Sequence, residues 1–215
     1  MLLYHGTRAS ALPSIRSSGL RPRGRRRGNW KHSVESNPRA VYLTCAYLLH
    51  FAASATSRGD LLIIEIEVDA LDRSRMAPDE DFLEQVTRQG QFPQAGRTME
   101  ARTRWFRKRA STVFQNYWEL SLERLGTCCY HGVIPAEALT RWAIIPPNHS
   151  LVRASDPAIN LQNYCIMGGY YRQLVHLVFG DPIDDTDLGI MESRSMYLRQ
   201  LSRDGVTISA RGEHQ

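Results

Sequence analysis

Short apolar runs separated by polar turns organise the first part of the chain. Residues 2–4 are apolar and predict a strand that leads directly into His5-Gly6-Thr7. Residues 10–17 favour a helix ending at Gly19, and residues 40–44 predict a second strand with Tyr42 at its centre. His5 and Gly6 are therefore expected where the first strand stops and backbone groups become free to meet a ligand. A histidine and a tyrosine, each carried by a strand, are expected to face one cleft.

The rest of the pattern alternates further strands and helices. Strands are predicted at residues 61–69, 127–132 and 142–145, and helices at residues 46–54, 111–125, 164–179 and 191–201. Residues 87–103 lose apolar periodicity and contain Gly90, Pro93 and Gly96, which predicts a mobile loop. Residues 209–215 are polar and expected to fray.

A pair of prolines, Pro146-Pro147, marks the strongest predicted boundary in the chain. We therefore predict one domain over residues 1–147 and a mainly helical C-terminal extension over residues 148–215. A chain of 215 residues suits one domain with such an appendage.

Acidic residues occur on two predicted elements. Glu65 and Glu67 share one face of the strand at 61–69, where a solvent-facing position is favoured over a catalytic carboxylate pair. Asp79, Glu80 and Asp81 follow Pro78, a pattern that suits a hard cation or the first turn of a helix. The helix start is the preferred interpretation.

Composition narrows the class of protein. No run of about 18 apolar residues occurs, so neither a membrane span nor a signal peptide is expected, and the predicted location is the cytoplasm. The cysteines, at 45, 128, 129 and 165, have no zinc-ligand spacing, so no metal is predicted and reduced thiols are expected.

Positive charge is concentrated in two runs within a net charge of +5. The first contains Arg25, Arg26 and Arg27, and the second places Arg104 and Arg107 around Trp105. Arginines interleaved with aromatic residues suit phosphate contact and base stacking, so both runs are candidate nucleic-acid contacts. A solvated charged face is the alternative, and the pyrophosphate of a dinucleotide also favours arginine.

His5-Gly6-Thr7, the helix ending Ser14-Ile15-Arg16-Ser17-Ser18-Gly19-Leu20, the strand Val41-Tyr42-Leu43-Thr44 and the strand exit Val133-Ile134-Pro135 occur in this order. Together they resemble the ADP-ribosyltransferase superfamily over roughly residues 1–145, with DarT-like toxins and tRNA 2′-phosphotransferases as the most similar groups. The resemblance implies an α+β fold with a split mixed β-sheet core and flanking helices.

The resemblance also implies that NAD is the co-substrate. It assigns His5, Gly6, Thr7, Arg8, Tyr42 and Thr44 to NAD binding, with the histidine and the following backbone holding the adenosine-side ribose and the nicotinamide amide. The ring of Tyr42 is expected to stack on nicotinamide and to belong to the catalytic set.

The catalytic carboxylate is the point where the chain departs from this family. Relatives place a glutamate in the first residues of the strand that begins here at Thr127. Glu123 is the first candidate because only three residues separate it from that strand, and Glu119 is the second. A solvated helix glutamate is the alternative for both. If neither serves, Arg8 and Arg16 are expected to handle an RNA phosphate, as in the 2′-phosphotransferases.

The predicted function is NAD-dependent ADP-ribosyl transfer, toxin-like, to a nucleic acid or, less favoured, a protein. One alternative is an RNA 2′-phosphotransferase that consumes NAD. A second is a non-catalytic module that binds nucleotides or RNA. An antitoxin-like protein is a possible partner of the C-terminal segment.

Overall fold

A computed structural model describes residues 1–24, 36–56, 59–88, 92–109, 115–155, 168–182 and 198–212 of the protein. These residues form an α+β fold in which a single open sheet is flanked by helices. None of the described helices combines the length and apolar character needed to cross a membrane.

Seven described strands form this sheet in the order β4-β5-β2-β1-β3-β6-β7. Their bounds are β1 Leu2–Arg8, β2 Ala40–Thr44, β3 Leu61–Glu67, β4 Met76–Pro78, β5 Thr127–His131, β6 Leu139–Ile145 and β7 Thr207–Ala210. Every described strand pair is antiparallel, so the prediction of a mixed sheet is wrong for these residues. Two neighbouring strands are parallel only if the connection between them carries the chain back to the end of the sheet where the first strand began. No two neighbouring strands among the described residues run in the same direction.

The contact between β1 and β2 is the weakest junction of the sheet. These strands share one register pair, Tyr4 with Thr44, whereas β1 pairs with β3 along its whole length. Strand β1 therefore continues to Arg8 instead of stopping before His5, because β3 supports it after β2 has separated. The sheet thus consists of a three-stranded part, β4-β5-β2, and a four-stranded part, β1-β3-β6-β7.

Seven described α-helices flank the sheet. They are α1 Leu12–Ser18, α2 Leu48–Ala55, α3 Glu80–Arg88, α4 Met99–Arg107, α5 Trp118–Leu125, α6 Ser150–Ala154 and α7 Gly168–Phe179. Helix α5 ends at Gly126 with a φ of +70°, as the sequence predicts for a glycine stop. The prediction of a loop over residues 87–103 is wrong where the end of α3 and the first half of α4 lie in that range. Helix α4 begins there because the hydroxyl of Thr98 caps it by accepting from the N–H of Ala101.

Two apolar cores lie on opposite faces of the sheet, because successive strand residues point to opposite sides. On one face, Tyr4, Leu61 and Ile63 pack with α2, α6 and α7. On the other, Leu3, Leu62 and Ile64 pack with residues of α1 and α5. Strand β3 is buried on both faces, in agreement with the prediction of a central strand.

Residues beyond the boundary predicted at 147 enter the first of these cores. Helix α7 contributes buried Tyr171 and Leu174, and β7 adds an edge strand through Ile208 beside Ala143. The described C-terminal segment therefore shares a core with the preceding domain and is not purely helical. Residues 207–210 form part of the sheet, so the prediction that residues 209–215 fray is wrong where they are described; residues 213–215 lie outside the described chain.

Candidate functional site at the junction of β1 and β2

His5 occupies the gap that opens where β1 and β2 separate. Its ring is partly buried, and its Nδ1 lies 2.9 Å from the main-chain oxygen of Tyr42. Register and alternation place His5 on the same face as Leu3 and Ile64. The hydrogen bond from the His5 side chain therefore links β1 to β2 where main-chain hydrogen bonds between these strands are absent.

The surroundings of His5 determine which ring nitrogen carries the proton. A carbonyl oxygen only accepts hydrogen bonds, so Nδ1 must donate to Tyr42. Burial lowers the pKa of His5, with the bond to Tyr42 acting in the opposite direction, so the ring is neutral near pH 7. Nε2 is then an acceptor with no partner among the described residues. It suits a hydroxyl donor such as that of a ribose.

Gly6 is required by the close approach of β1 to α2. A Cβ at this position would lie 2.4 Å from the carbonyl oxygen of Leu48 and 2.6 Å from the nitrogen of Ala52. Both are backbone atoms that cannot rotate away. Gly6 lies within β1 and does not have a positive φ, so its role is close packing.

The hydroxyl of Tyr42 is held by a buried carboxylate. It donates to Oε2 of Glu80 at 2.5 Å, and the N–H of Asn37 donates to both the Tyr42 hydroxyl and Oε1 of Glu80. Burial and the nearby Glu80 raise the pKa of Tyr42, so the phenol keeps its proton. Glu80 therefore accepts two hydrogen bonds and is the carboxylate that the fold brings to Tyr42.

The side chains of His5 and Tyr42 point to opposite faces of the sheet. Tyr42 packs with Ala40, Ala77 and Cys129, whereas the neighbouring Val41 and Leu43 pack on the face that carries His5. The structure thus brings His5 to the backbone of Tyr42 but not to its ring. The expectation that both side chains face one cleft is wrong. Tyr4 lies opposite Thr44, so Tyr42 shares the face of Tyr4, and His5, the next residue of β1, points to the other face.

Asp79 lies beside the start of β5. Pro78 is in register with Cys128, so the next residue reaches the level of Thr127. The N–H of Asp79 donates to the hydroxyl of Ser121, which donates to the main-chain oxygen of Thr127. Burial, followed by repulsion from Glu80 and Asp81, raises the pKa of Asp79 to about 7. Asp79 also accepts from the N–H of Asp81, which confirms the predicted helix start.

A small depression lies beside Glu80 on the Tyr42 face. It is lined by Asn37, Pro78, Glu80, Leu83, Phe106, Cys129 and His131 and has room for little more than a water molecule. Nε2 of His131 is buried and has no hydrogen-bond partner among the described residues. Burial, together with the Arg75 guanidinium, lowers the pKa of His131, so this ring is neutral as well.

The two glutamates predicted to be catalytic lie elsewhere. Glu119 and Glu123 are exposed on α5, whose buried side is formed by Trp118, Ser121 and Leu122. The glycine stop at Gly126 turns the chain into β5 without folding Glu123 back over the strand. The structure therefore does not bring either glutamate to Tyr42.

The other residues assigned to NAD binding differ in accessibility. Thr7 is partly buried and Arg8 is exposed at the end of β1. The hydroxyl of Thr44 is buried, donates to Gly126 and accepts from the N–H groups of Ala46 and Tyr47. These bonds use its whole hydrogen-bonding capacity, so Thr44 braces the end of β2 instead of facing a ligand.

The structure describes only part of the two basic runs. Arg25, Arg26 and Arg27 lie outside the described residues, as does the side chain of Arg107. Arg104 is exposed, whereas the ring of Trp105 packs 5.8 Å from that of Phe92 and lies under the Arg109 guanidinium at 4.6 Å. Arg16, considered as a phosphate ligand, lies 5.2 Å from the ring centre of Trp142.

The sequence patterns did not predict a buried charge network around Glu65, on the face of the sheet opposite His5. Glu65 is 3 % exposed and pairs with Arg141, which also pairs with Asp181 after α7. The hydroxyls of Tyr4 and Thr140 donate to Glu65 as well. The prediction that Glu65 faces solvent is wrong, because β7 and α7 cover this part of the sheet. Glu67 instead pairs with the N-terminal amine of Met1.

Comparisons with known proteins add little. No protein-family model matches the chain, and no curated protein matches it. Among solved structures it is similar to EcPltA, with 12 % identity, a TM-score of 0.35, and coverage of 66 % of this chain and 74 % of that chain. A likeness of that size supports no functional argument.

Proposed function

We propose that this protein is an NAD-dependent ADP-ribosyltransferase, toxin-like, that modifies a nucleic acid or, as the less favoured acceptor, a protein. The observation that carries the proposal is the opening between β1 and β2, with a neutral His5 at its edge. An imidazole fixed through Nδ1 and free at Nε2 suits a ribose hydroxyl, and Gly6 beside it keeps the backbone close.

The residues present fit part of what NAD requires. When bound, NAD supplies an activated glycosidic bond between its ribose and nicotinamide. Nε2 of His5 would accept a hydrogen bond from a ribose hydroxyl. Arg8, which is exposed at the C-terminal end of the same strand, would bind a phosphate. Thr44 does not fit this role, and the Tyr42 ring is held on the other face by Glu80.

The 2′-phosphotransferase remains the second candidate because Glu119 and Glu123 are exposed and remote from Tyr42. That reaction relies on arginines, and Arg8 and Arg16 are the candidates for that role. A non-catalytic nucleotide-binding or RNA-binding module is the third.

Incubation with NAD labelled in the adenylate, with and without RNA, DNA and a cell lysate, separates these functions. Label on nucleic acid supports the favoured form of the proposal, and label on protein supports the other. Formation of ADP-ribose 1″,2″-cyclic phosphate from 2′-phosphorylated RNA identifies the phosphotransferase. Absence of turnover with every acceptor, together with no binding of NAD, overturns the proposal.

A further inference from the structure

Three strands of the sheet carry arginines at the end where β1 and β2 separate. Because neighbouring strands are antiparallel, β1 and β5 end there, whereas β2 and β4 begin there. Arg8 is the last residue of β1, Arg39 precedes β2 and Arg75 precedes β4. All three are exposed, and none forms an ion pair with a described residue. Arg8 would bind a phosphate of NAD, which leaves Arg39 and Arg75 for another anion.

Arg39 and Arg75 are brought together by Gly132, the residue that follows β5. The N–H of Gly132 donates to the main-chain oxygen of Arg39 at 3.0 Å. A Cβ added to Gly132 would lie 3.1 Å from the guanidinium of Arg75, so this guanidinium lies beside the same backbone. The two arginines therefore meet at the end of β5, although they are far apart in the sequence. Unneutralised cations on neighbouring strands create a positive potential that attracts anions.

The guanidinium of Arg75 is oriented by an aromatic ring. It lies over Tyr130, 5.7 Å from the ring centre. Asp72, the closest acidic residue in the sequence, accepts from the N–H and the hydroxyl of Ser74 and forms no ion pair with Arg75. A guanidinium held over a ring loses less freedom when it binds a phosphate, so Arg75 is prepared for an anion.

Both arginines lie on the face of the sheet that carries His5. Val41 and Tyr130 pack in the core on that face. Alternation along β2 puts Arg39 on the side of Val41, and Arg75 covers Tyr130. The gap between β1 and β2 opens toward this same end. A polyanion that crosses the ends of β4, β5 and β2 therefore reaches the gap on the side where His5 lies.

We infer that Arg39 and Arg75 bind the phosphates of a single-stranded nucleic acid and lead it to the gap beside His5. The role of that strand as the acceptor rests on the proposed function. One phosphate would require donors that converge on a point. The backbones of β2 and β4 are instead two strands apart, about 10 Å, which suits a chain of repeated phosphates.

A single strand fits better than a duplex, because the atoms of a base inside a duplex are out of reach of an enzyme. An acidic protein segment is the competing occupant. Its carboxylates are not repeated at every residue, whereas a nucleic acid presents one phosphate per nucleotide.

The test measures binding without NAD, so its result does not depend on the reaction. Fluorescence anisotropy with labelled oligothymidine and oligouridine at several salt concentrations compares the wild type with the double variant Arg39→Gln, Arg75→Gln. We expect binding to weaken on the order of tenfold or more. The slope of log K against log salt should fall by about 1.4, since each phosphate contact on a single strand contributes about 0.7. The oligonucleotide that binds more tightly identifies the preferred sugar.

The matched control is Arg124→Gln, Arg153→Gln, which removes the same charge from exposed arginines of α5 and α6. It should keep the wild-type slope. Equal losses in the two double variants, or no loss in Arg39→Gln, Arg75→Gln, overturn the inference. Tighter binding of a duplex overturns it as well, and so does displacement of the oligonucleotide by polyglutamate at an equal concentration of charge.

The variant Arg39→Lys, Arg75→Lys keeps both charges and should keep the slope. A slope as low as that of the glutamine variant would show that Arg75 only covers Tyr130. If Arg75→Gln does not fold, Arg39→Gln alone leaves the contact with Tyr130 in place and should lower the slope by about 0.7. An unchanged slope in that folded variant overturns the inference.

The inference and the proposed function fail separately. A wild type that binds the oligonucleotide through Arg39 and Arg75 but does not use NAD overturns the proposed function and leaves the binding surface intact. A wild type that labels nucleic acid from NAD, with unchanged oligonucleotide binding in Arg39→Gln, Arg75→Gln, overturns only the inference.

Discussion

Nδ1 of His5 lies 2.9 Å from the main-chain oxygen of Tyr42, so a side chain of β1 bridges to β2 where the two strands have ceased to pair. This contact fixes the tautomer of the ring and leaves Nε2 as an acceptor without a partner among the described residues. His5 is thereby both a brace of the junction and the candidate contact to a ribose.

Replacing His5 by alanine should abolish most of the stabilisation that NAD confers. A ligand that binds only the folded state at a hundredfold excess over Kd raises the free energy of unfolding by about 2.7 kcal/mol. Thermal melts with and without NAD measure this shift, each variant against its own ligand-free melt. His149→Ala, at the cap of α6, is the matched control and should keep the full shift. An unchanged shift in His5→Ala would remove His5 from the site.

Gly6→Ala should destabilise the protein by about 2–3 kcal/mol, because its Cβ would meet two backbone atoms of α2. Gly59→Ala is the comparison: this glycine has a φ of +92° but no described atom within 4 Å of the added Cβ. It should cost only about 1 kcal/mol, from backbone strain. Urea titration of both variants provides the free energies of unfolding. Equal losses would show that the contact with α2 relaxes.

Asp79→Asn should become more stable relative to the wild type as the pH rises. Burial raises the pKa of Asp79 to about 7 in the folded state, above its usual value near 3.9 in the unfolded chain. The folded protein therefore binds more protons between these values, so the wild type loses stability as the pH rises from about 4 to about 7. Asparagine keeps the cap of α3 without the charge.

Denaturant titrations of the wild type and Asp79→Asn from pH 4 to pH 8 measure this difference. It should grow by about 1–3 kcal/mol in favour of Asp79→Asn and level off above pH 7. A difference that stays constant over this range would mean that Asp79 is ionised throughout.

Arg141→Met should cost about 3–5 kcal/mol, since it leaves the buried carboxylate of Glu65 without its cation. The double variant Glu65→Gln, Arg141→Met should recover much of that loss. Arg73→Met is the exposed control, because both side chains of its pair with Asp69 are more than half exposed, and it should cost less than about 1 kcal/mol. Urea titrations compare the three, and similar losses in Arg141→Met and Arg73→Met would contradict a buried role for the network.

Changing Arg25, Arg26 and Arg27 together to serine should weaken nucleic-acid binding and reduce the slope of log K against log salt by up to about three. NAD affinity should change little. Fluorescence anisotropy with a labelled oligonucleotide at several salt concentrations measures the slope, and Arg73→Ser, a change at an exposed arginine paired with Asp69, is the control. The same slope in the triple variant and the wild type would show that this run is only a solvated face.

Local features of the sequence were sufficient for much of the fold. The strands at 40–44 and 127–131, the stop of α5 at Gly126 and the start of α3 after Asp79 agree with their predictions. Each depends on apolar periodicity, a positive φ or a cap within a few residues, and such signals are contained in a short segment.

Tertiary structure alone decided which distant side chains meet. Tyr42 finds Glu80 only because β4, a strand of three residues with no clear pattern, pairs with β5. Glu65 is buried because β6 carries Arg141 beside it and α7 covers it, although its alternating strand predicts exposure. Such pairings span tens of residues and depend on how all layers pack together, and no short segment of the sequence contains that information.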